Sequence, residues 1–198
     1  MKIKKILLLC LMPLMAEVLF ACCDCDEAPP YRYKFNQMFV YNLDNSGKNA
    51  VETSVAETGK ASYGIRIRFT TLMAAVPAIN NSLFLSSSQA NDCCPPPFSP
   101  YEHIESLKII AMYDFNENHK SGSDVTEYFA VFYSNRYYAN SSILESELFG
   151  NALDEQKNIL IDLLLMTKPS TVKHQFRVEI KFAGGRELEK TTPLINLI

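Results

Sequence analysis

Apolar and polar residues alternate along much of this chain, and a period of two marks strands with one buried face. Tyr33, Phe35, Gln37, Phe39, Tyr41 and Leu43 form one odd-numbered series, broken by the turn signal Asp44-Asn45-Ser46-Gly47. Ala61, Tyr63, Ile65, Ile67 and Phe69 form a second, with Arg66 and Arg68 on the opposite face. Leu107, Ile109, Ala111 and Tyr113 form a third, and the aromatic run 128–133 reads as a further strand. Residues 159–166 are apolar on both parities with Asp162 inside, which fits a buried strand or a buried helix; Pro169 ends the run either way. The segment after Pro169 favours a strand. Phe176, Val178, Ile180 and Phe182 alternate with Arg177, Glu179 and Lys181, then Gly184-Gly185 signals a tight turn before 187–192 and Leu194-Ile195-Asn196-Leu197. A C-terminal hairpin is the firmest local expectation.

Helical signals are sparse. Ser123-Asp124-Val125-Thr126-Glu127 has side-chain oxygens suited to capping one turn, and 142–149 suits a short helix. About seven strands separated by turns predict a mainly β protein: an antiparallel β-sandwich, immunoglobulin-like in the broad sense, with one or two short helices. Two segments read as loops. Residues 78–100 carry Asn80, Asn81, three serines and Cys93-Cys94-Pro95-Pro96-Pro97, and 114–124 is strongly polar. Long loops in compact domains often carry function.

The first residues follow different rules. Lys2, Lys4 and Lys5 precede an apolar stretch from Ile6 to Phe20, interrupted by Pro13 and Glu17. Leu19-Phe20-Ala21-Cys22 closes it in the manner of a bacterial lipobox. The apolar run is shorter than the roughly 18–20 residues a spanning helix needs. The expected organisation is therefore a signal peptide over 1–21, a lipidated acidic tether over 22–32 and one β-sandwich domain over 33–198. Cys22 is the expected lipid-attachment residue, in the envelope, in the outer membrane and facing the cell surface. Cys23 is a poorer anchor, because Cys22 would then occupy the small-residue position. Asp24, Asp26 and Glu27 followed by Pro29 and Pro30 resemble the surface-export tag of Bacteroidetes-type lipoproteins. The competing reading is a plain polar spacer that buries nothing.

Removal of residues 1–21 leaves sixteen basic against twenty-one acidic side chains, a net charge of about −5. That balance disfavours nucleic acid and anionic lipid as partners, since both need a basic face. Twelve Phe and ten Tyr supply a core, and no Trp is present. Cys10 leaves with the signal peptide and Cys22 is consumed by lipid, so Cys23, Cys25, Cys93 and Cys94 remain as disulfide candidates in an oxidising compartment. Four cysteines allow three pairings. Adjacent Cα atoms lie about 3.8 Å apart, short for a disulfide, so a Cys93–Cys94 bond would be strained. Two bridges from the tether to the 93–94 loop fit better. A four-thiolate zinc site fits worse, because Cys-x-Cys plus Cys-Cys lacks the usual spacing.

Asp114, Asn116 and Asn118 have the 1-3-5 oxygen spacing of a calcium loop, and Asp124 with Glu127 offers further oxygens. His119 and Val125 stand where that motif requires Gly and Glu, so it is not an EF-hand. The alternative is a loop whose Asx side chains bind their own backbone. The histidines are His103, His119 and His174, and His174 reads as a strand-edge residue. No Gly-x-Ser-x-Gly, His-Glu-x-x-His or phosphate-loop motif occurs, and no catalytic residue is assigned. Glu145/Glu147 and Glu187/Glu189 read as solvated faces, and Tyr137-Tyr138 as rim aromatics rather than a glycan platform.

Several of these segments resemble one group. The lipobox, the acidic tether, Ile104-Glu105-Ser106-Leu107-Lys108-Ile109, the 114–124 loop before Tyr128-Phe129, and the ending His174-Gln175-Phe176-Arg177-Val178, Gly184-Gly185 and Thr191-Thr192-Pro193 resemble uncharacterised Bacteroidetes lipoproteins of unknown function. The resemblance implies an envelope location and a β-rich domain, and no activity. The functional expectation is a non-enzymatic, lipid-anchored binding or interaction module with a glycan or an envelope protein as partner and no cofactor beyond the calcium candidate. The alternative is a structural accessory subunit whose apolar C-terminal strand pairs with a neighbour's sheet edge.

Overall fold

A computed structural model describes residues 31–55, 57–73, 98–139 and 158–198. Cys22, Cys23, Cys25, Cys93 and Cys94, the signal peptide, the candidate helix at 142–149, Glu145/Glu147 and most of the 78–100 loop lie outside the described residues. From Arg32 on, the described chain belongs to one unit, Arg32–Ala74 with Phe98–Ile198.

The architecture is mainly β, as the alternation predicts, with no closed barrel. The long strands β1 (Tyr31–Asp44) and β4 (Tyr63–Met73) pair antiparallel. Between them in sequence come the short β2 (Val51–Glu52) and β3 (Glu57–Thr58). Next along the chain are β5 (Phe98–Pro100), β6 (Ile104–Ala111), β7 (Phe129–Tyr133) and β8 (Arg136–Tyr138). The last five are β9 (Ile159–Leu165), β10 (Lys173–His174), β11 (Phe176–Phe182), β12 (Glu187–Thr191) and β13 (Ile195–Leu197). Seven strands form the large sheet, ordered β2-β1-β4-β9-β7-β8 with β5 also on β1. Two three-stranded sheets, β12-β11-β6 and β10-β13-β3, complete the set.

The inner faces share one apolar core. Tyr63, Ile65, Ile67 and Phe69 of β4, Ile159, Ile161, Leu163 and Leu165 of β9, and Phe176, Val178, Ile180 and Phe182 of β11 are all buried in it. Rings link the sheets across the interior: Phe35 lies 5.3 Å from Phe182, and Phe129 5.5 Å from Phe176. Residues 159–165 are a strand. Asp162 points outward, which is why the run is apolar on one parity and interrupted on the other.

Three expectations change. The odd-numbered series of β1 does not keep one face. A bulge between Phe35 and Met38 inserts one residue, so Tyr33 and Phe35 point inward, then Met38, Val40 and Asn42 do, leaving Phe39 and Tyr41 outside. The helical turn near Ser123–Glu127 is a single 3-10 turn, Thr126–Tyr128, and Asp124 Oδ1 accepts from the Thr126 amide at 2.9 Å. The stretch Phe98–Pro100 of the long loop is strand β5.

The C-terminal hairpin forms as expected. Gly185 sits at φ +80°, the Gly185 amide donates to Phe182 O at 2.8 Å and the Phe182 amide to Arg186 O at 2.9 Å, a three-residue loop that needs glycine at its left-handed position. β13 is separate from it. It pairs antiparallel with β10 and parallel with β3, so both of its edges are occupied. The observation behind strand donation to a neighbour is thereby removed.

A candidate interaction surface

The outward face of the large sheet brings together residues that the sequence scatters. Register places Tyr41 opposite Arg66, Arg66 opposite Asp162, Asp162 opposite Phe132 and Phe132 opposite Tyr137. One row thus crosses β1, β4, β9, β7 and β8, spanning about 19 Å at the usual strand spacing. Arg66 Nε and Nη2 each donate to one Asp162 carboxylate oxygen at 2.7 Å, a bidentate pair. That carboxylate holds the Arg66 guanidinium protonated more firmly than usual. Glu52 of β2 accepts from Arg68 and lies 3.5 Å from Arg66. The Arg68 guanidinium lies 4.8 Å from the Tyr41 ring centroid. At the other end Phe132 and Tyr137 meet at 5.2 Å with tilted rings. Phe39 and Tyr137 stay 40% and 55% exposed.

Two local devices set this face. Gly64 lies where β4 meets β9: an added Cβ would come within 2.7 Å of Leu164 Cδ2 and 2.9 Å of the Leu163 carbonyl. The β7–β8 hairpin turns through Ser134 and Asn135 at φ 50° and 59°, the two-residue loop whose twist matches its strands. That turn places Tyr137 beside Phe132.

The calcium candidates are arranged otherwise. Asp114 Oδ1 accepts from the Ser121 amide at 3.0 Å, which pulls its carboxyl below the usual range, and Oδ2 lies 3.3 Å from Lys120 Nζ. Asn116 Oδ1 accepts from the Asn118 and His119 amides at 2.9 and 2.8 Å. Asp124 Oδ1 serves Thr126. These oxygens bind the loop's own amides, the Asx arrangement weighed against calcium. Among the described residues no group of three or more His, Cys, Asp or Glu side chains could hold a metal ion.

His119 touches Asn116 Oδ1 at 3.1 Å and the Tyr128 hydroxyl at 3.3 Å, and its ring stands edge-on to Tyr128. His174 lies on the edge strand β10, yet its ring is buried, stacked on Phe176 and bonded through Nε2 to Thr171. Burial pushes its pKa down. His103 gives its carbonyl to the Ala183 amide at 2.9 Å. His119 Nε2 also comes within 3.7 Å of Glu127 Oε1, an exposed carboxylate. Glu187 and Glu189 are exposed on β12, each opposite a charged residue of β11. Tyr138 packs against the core and Tyr137 stands exposed at the rim. Two shallow depressions among the described residues, each about 250 Å³ or less, fall below the usual size of small-ligand sites.

Fold and surface define a β-sandwich domain whose distinctive chemistry lies on an open sheet face rather than in a cleft. The chain belongs to the family described as Domain of unknown function (DUF5034), whose model matches residues 35–193. That agrees with the resemblance to a family without assigned activity. No curated protein matches. Among solved structures the chain is similar to one named BspA_C_WT, at 9% identity and TM-score 0.28 over 81% of this chain and 50% of that chain. It is also similar to the C-terminal domain of the Streptococcus agalactiae AgI/II polypeptide BspA, at 9% identity and TM-score 0.28 over 81% and 49%. The chain spans about half the length of these structures. No helix among the described residues is long and apolar enough to cross a membrane.

Proposed function

We propose that the chain is a lipid-anchored binding module of the cell envelope, acylated at Cys22, facing the cell surface, and engaging a protein through the outward face of its large sheet. The row Tyr41–Arg66–Asp162–Phe132–Tyr137 carries the reading. Aromatic residues and arginine are enriched at protein interfaces and among their energetically dominant residues. An open sheet face about 19 Å across, bearing aromatic rings and arginine, suits a protein partner. No step of catalysis is assigned to it.

A photo-crosslinking residue at Tyr137 or Phe39 in intact cells tests the face, with Glu187 and Glu189 of the opposite sheet as controls. Adducts to one protein band from the first pair and not the second support the reading. Equal labelling, or none from either pair, overturns it; labelled glycan instead of protein replaces the partner class. The anchor is tested separately by protease treatment of unbroken cells and by Cys22→Ala, which should release or misplace the domain. Protection until lysis would place the domain in the periplasm.

A further inference from the structure

At one end of β1 lies a cluster unlike the paired row. Arg32 and Lys34 point to the same side of the strand, and the Arg32 guanidinium and Lys34 ammonium each lie 5.4 Å from the Tyr101 ring centroid. The Tyr101 amide donates to Tyr33 O at 2.8 Å, which fixes that ring beside β1. Leu72, the register partner of Lys34 on β4, is 57% exposed, and Tyr101 is 47% exposed. The acids nearest in sequence to Tyr101 are engaged elsewhere: Glu102 binds Arg186 at 2.9 Å and Glu105 binds Lys181 at 3.2 Å. Among the described residues Arg32 and Lys34 have no carboxylate partner. In a chain whose net charge is negative, two cations without a carboxylate partner among the described residues, beside an exposed aromatic and an exposed leucine, are a local feature.

We infer that Arg32, Lys34, Leu72 and Tyr101 form a surface that rests on the anionic phospholipid headgroups of the bilayer holding the anchor. This rests on the lipidation of Cys22 proposed above. Charge supplies the complementarity, because each basic side chain near an anionic bilayer surface is worth about a fivefold gain. Tyrosine belongs to the membrane–water boundary, with an apolar ring and a wet hydroxyl. Chain length supplies the reach. Arg32 lies ten positions after Cys22, so the domain begins within about 35 Å of the acylated residue. The lipid chains hold the protein at the membrane, and the patch sets which end of the domain faces it.

The chain contains no Trp, so Tyr101→Trp places a single indole in the cluster. The purified full-length mature protein is reconstituted into vesicles of phosphatidylcholine, with and without phosphatidylglycerol, and quenching by brominated lipid is read. Quenching in the anionic vesicles, released by raised salt, is the expected result. Arg32→Glu with Lys34→Glu in the same protein should lower the docking constant by at least about 30-fold, the loss expected from the two cations alone. An indole left unquenched in anionic vesicles, or quenched equally after charge reversal or in neutral vesicles, overturns the inference. Salt release on the unreversed protein keeps the test valid should the double variant fold poorly. Intact mass reports separately whether Cys22 carries lipid. Without lipid the anchor reading fails, and titration of the same chain with anionic vesicles still decides the patch: binding weakened at least about 30-fold by charge reversal supports it, and no binding overturns it.

Discussion

Asn42 is buried at an inward position of β1, where the strand pattern calls for an apolar side chain. Its Oδ1 accepts from the Tyr63 hydroxyl at 2.9 Å, and its Nδ2 donates to Pro193 O at 3.0 Å. The amide thus ties β1 to β4 and to the segment between β12 and β13. Burial drives the Tyr63 phenol pKa up, so its hydroxyl is a proton donor at every working pH. Asn42→Ala leaves that buried donor without its amide partner and frees the carbonyl of the exposed Pro193. A buried polar group left unpaired costs about 1–3 kcal/mol, and that is the expected loss. Urea unfolding should show a lower midpoint with an unchanged slope. The decisive measurement is a cycle with Tyr63→Phe. Removing the hydroxyl should cost clearly less when Asn42 is already alanine, with a coupling of about 1–2 kcal/mol. Additive losses, within about 0.5 kcal/mol, would refute the hydrogen-bond account and leave only the small cavity.

Gly64→Ala should destabilise by about 1–3 kcal/mol through overpacking against Leu164 and the Leu163 backbone; an unchanged denaturation midpoint would show that β4 and β9 separate freely. His174 is held below its ordinary pKa by burial. Above about pH 6.5 both folded and unfolded chains carry it neutral, and as pH falls below that value the unfolded chain takes up the proton first. Stability should therefore decline on acidification by up to about 1.4 kcal/mol per pH unit, a slope His174→Phe lacks; identical pH profiles would remove the histidine from the account. Changing Ser134-Asn135 to Asn-Gly should raise the unfolding free energy by up to about 1 kcal/mol, since both positions have positive φ, and a loss would mean the turn is not left-handed. Calcium should leave the melting temperature unchanged, because Asp114 Oδ1 and Asn116 Oδ1 already accept from the loop's own amides; a rise following mass action would establish a calcium site.

The parts of the fold legible in the sequence are those with an undisturbed period. β4 and β11 present apolar residues on one parity without interruption; β11 folds as read, and β4 does from Tyr63 on, Ala61 lying in the turn before it. β1 does not, because the residues at its bulge, Asn36 and Gln37, are both polar and give no sign that the phase shifts by one. β13 was visible as apolar, but its parallel partner β3 is two residues, Glu57 and Thr58, too short to carry a period. The Asp114 loop illustrates a different ambiguity. Oxygens spaced 1-3-5 serve a cation and Asx turns equally well, and only coordinates tell which amides they face. The interaction row was out of reach as a unit, since its residues come from strands joined only by long-range pairing. One signal pointed at it: Asp162 inside an apolar run and Arg66 between isoleucines are opposite charges in the outward phase of two strands.

The two outer faces of the sandwich differ in the way an interface hypothesis requires. On β12-β11-β6 the rows are Lys108–Glu179–Glu189 and Ser106–Lys181–Glu187, mixed charges in water, and the edge strand β12 carries Glu187, Glu189 and Lys190, which deter strand pairing. Ion pairs there are exposed, as in Lys181–Glu105 at 45% and 52%, and such pairs contribute little. On the large sheet the Arg66–Asp162 pair is only 18% and 14% exposed and lies between aromatic rings. Covering an unpaired charge is costly, whereas covering a charge that already has a bidentate partner sacrifices much less solvation. A partner that seats over this row therefore gains the aromatic area of Tyr137 and Phe39 without stripping water from a lone ion. The same seat on the opposite sheet would desolvate Glu189 beside Glu179, whose pair with Arg177 is itself about one-third exposed. The asymmetry favours one face for binding on energetic grounds, independently of which partner fills it.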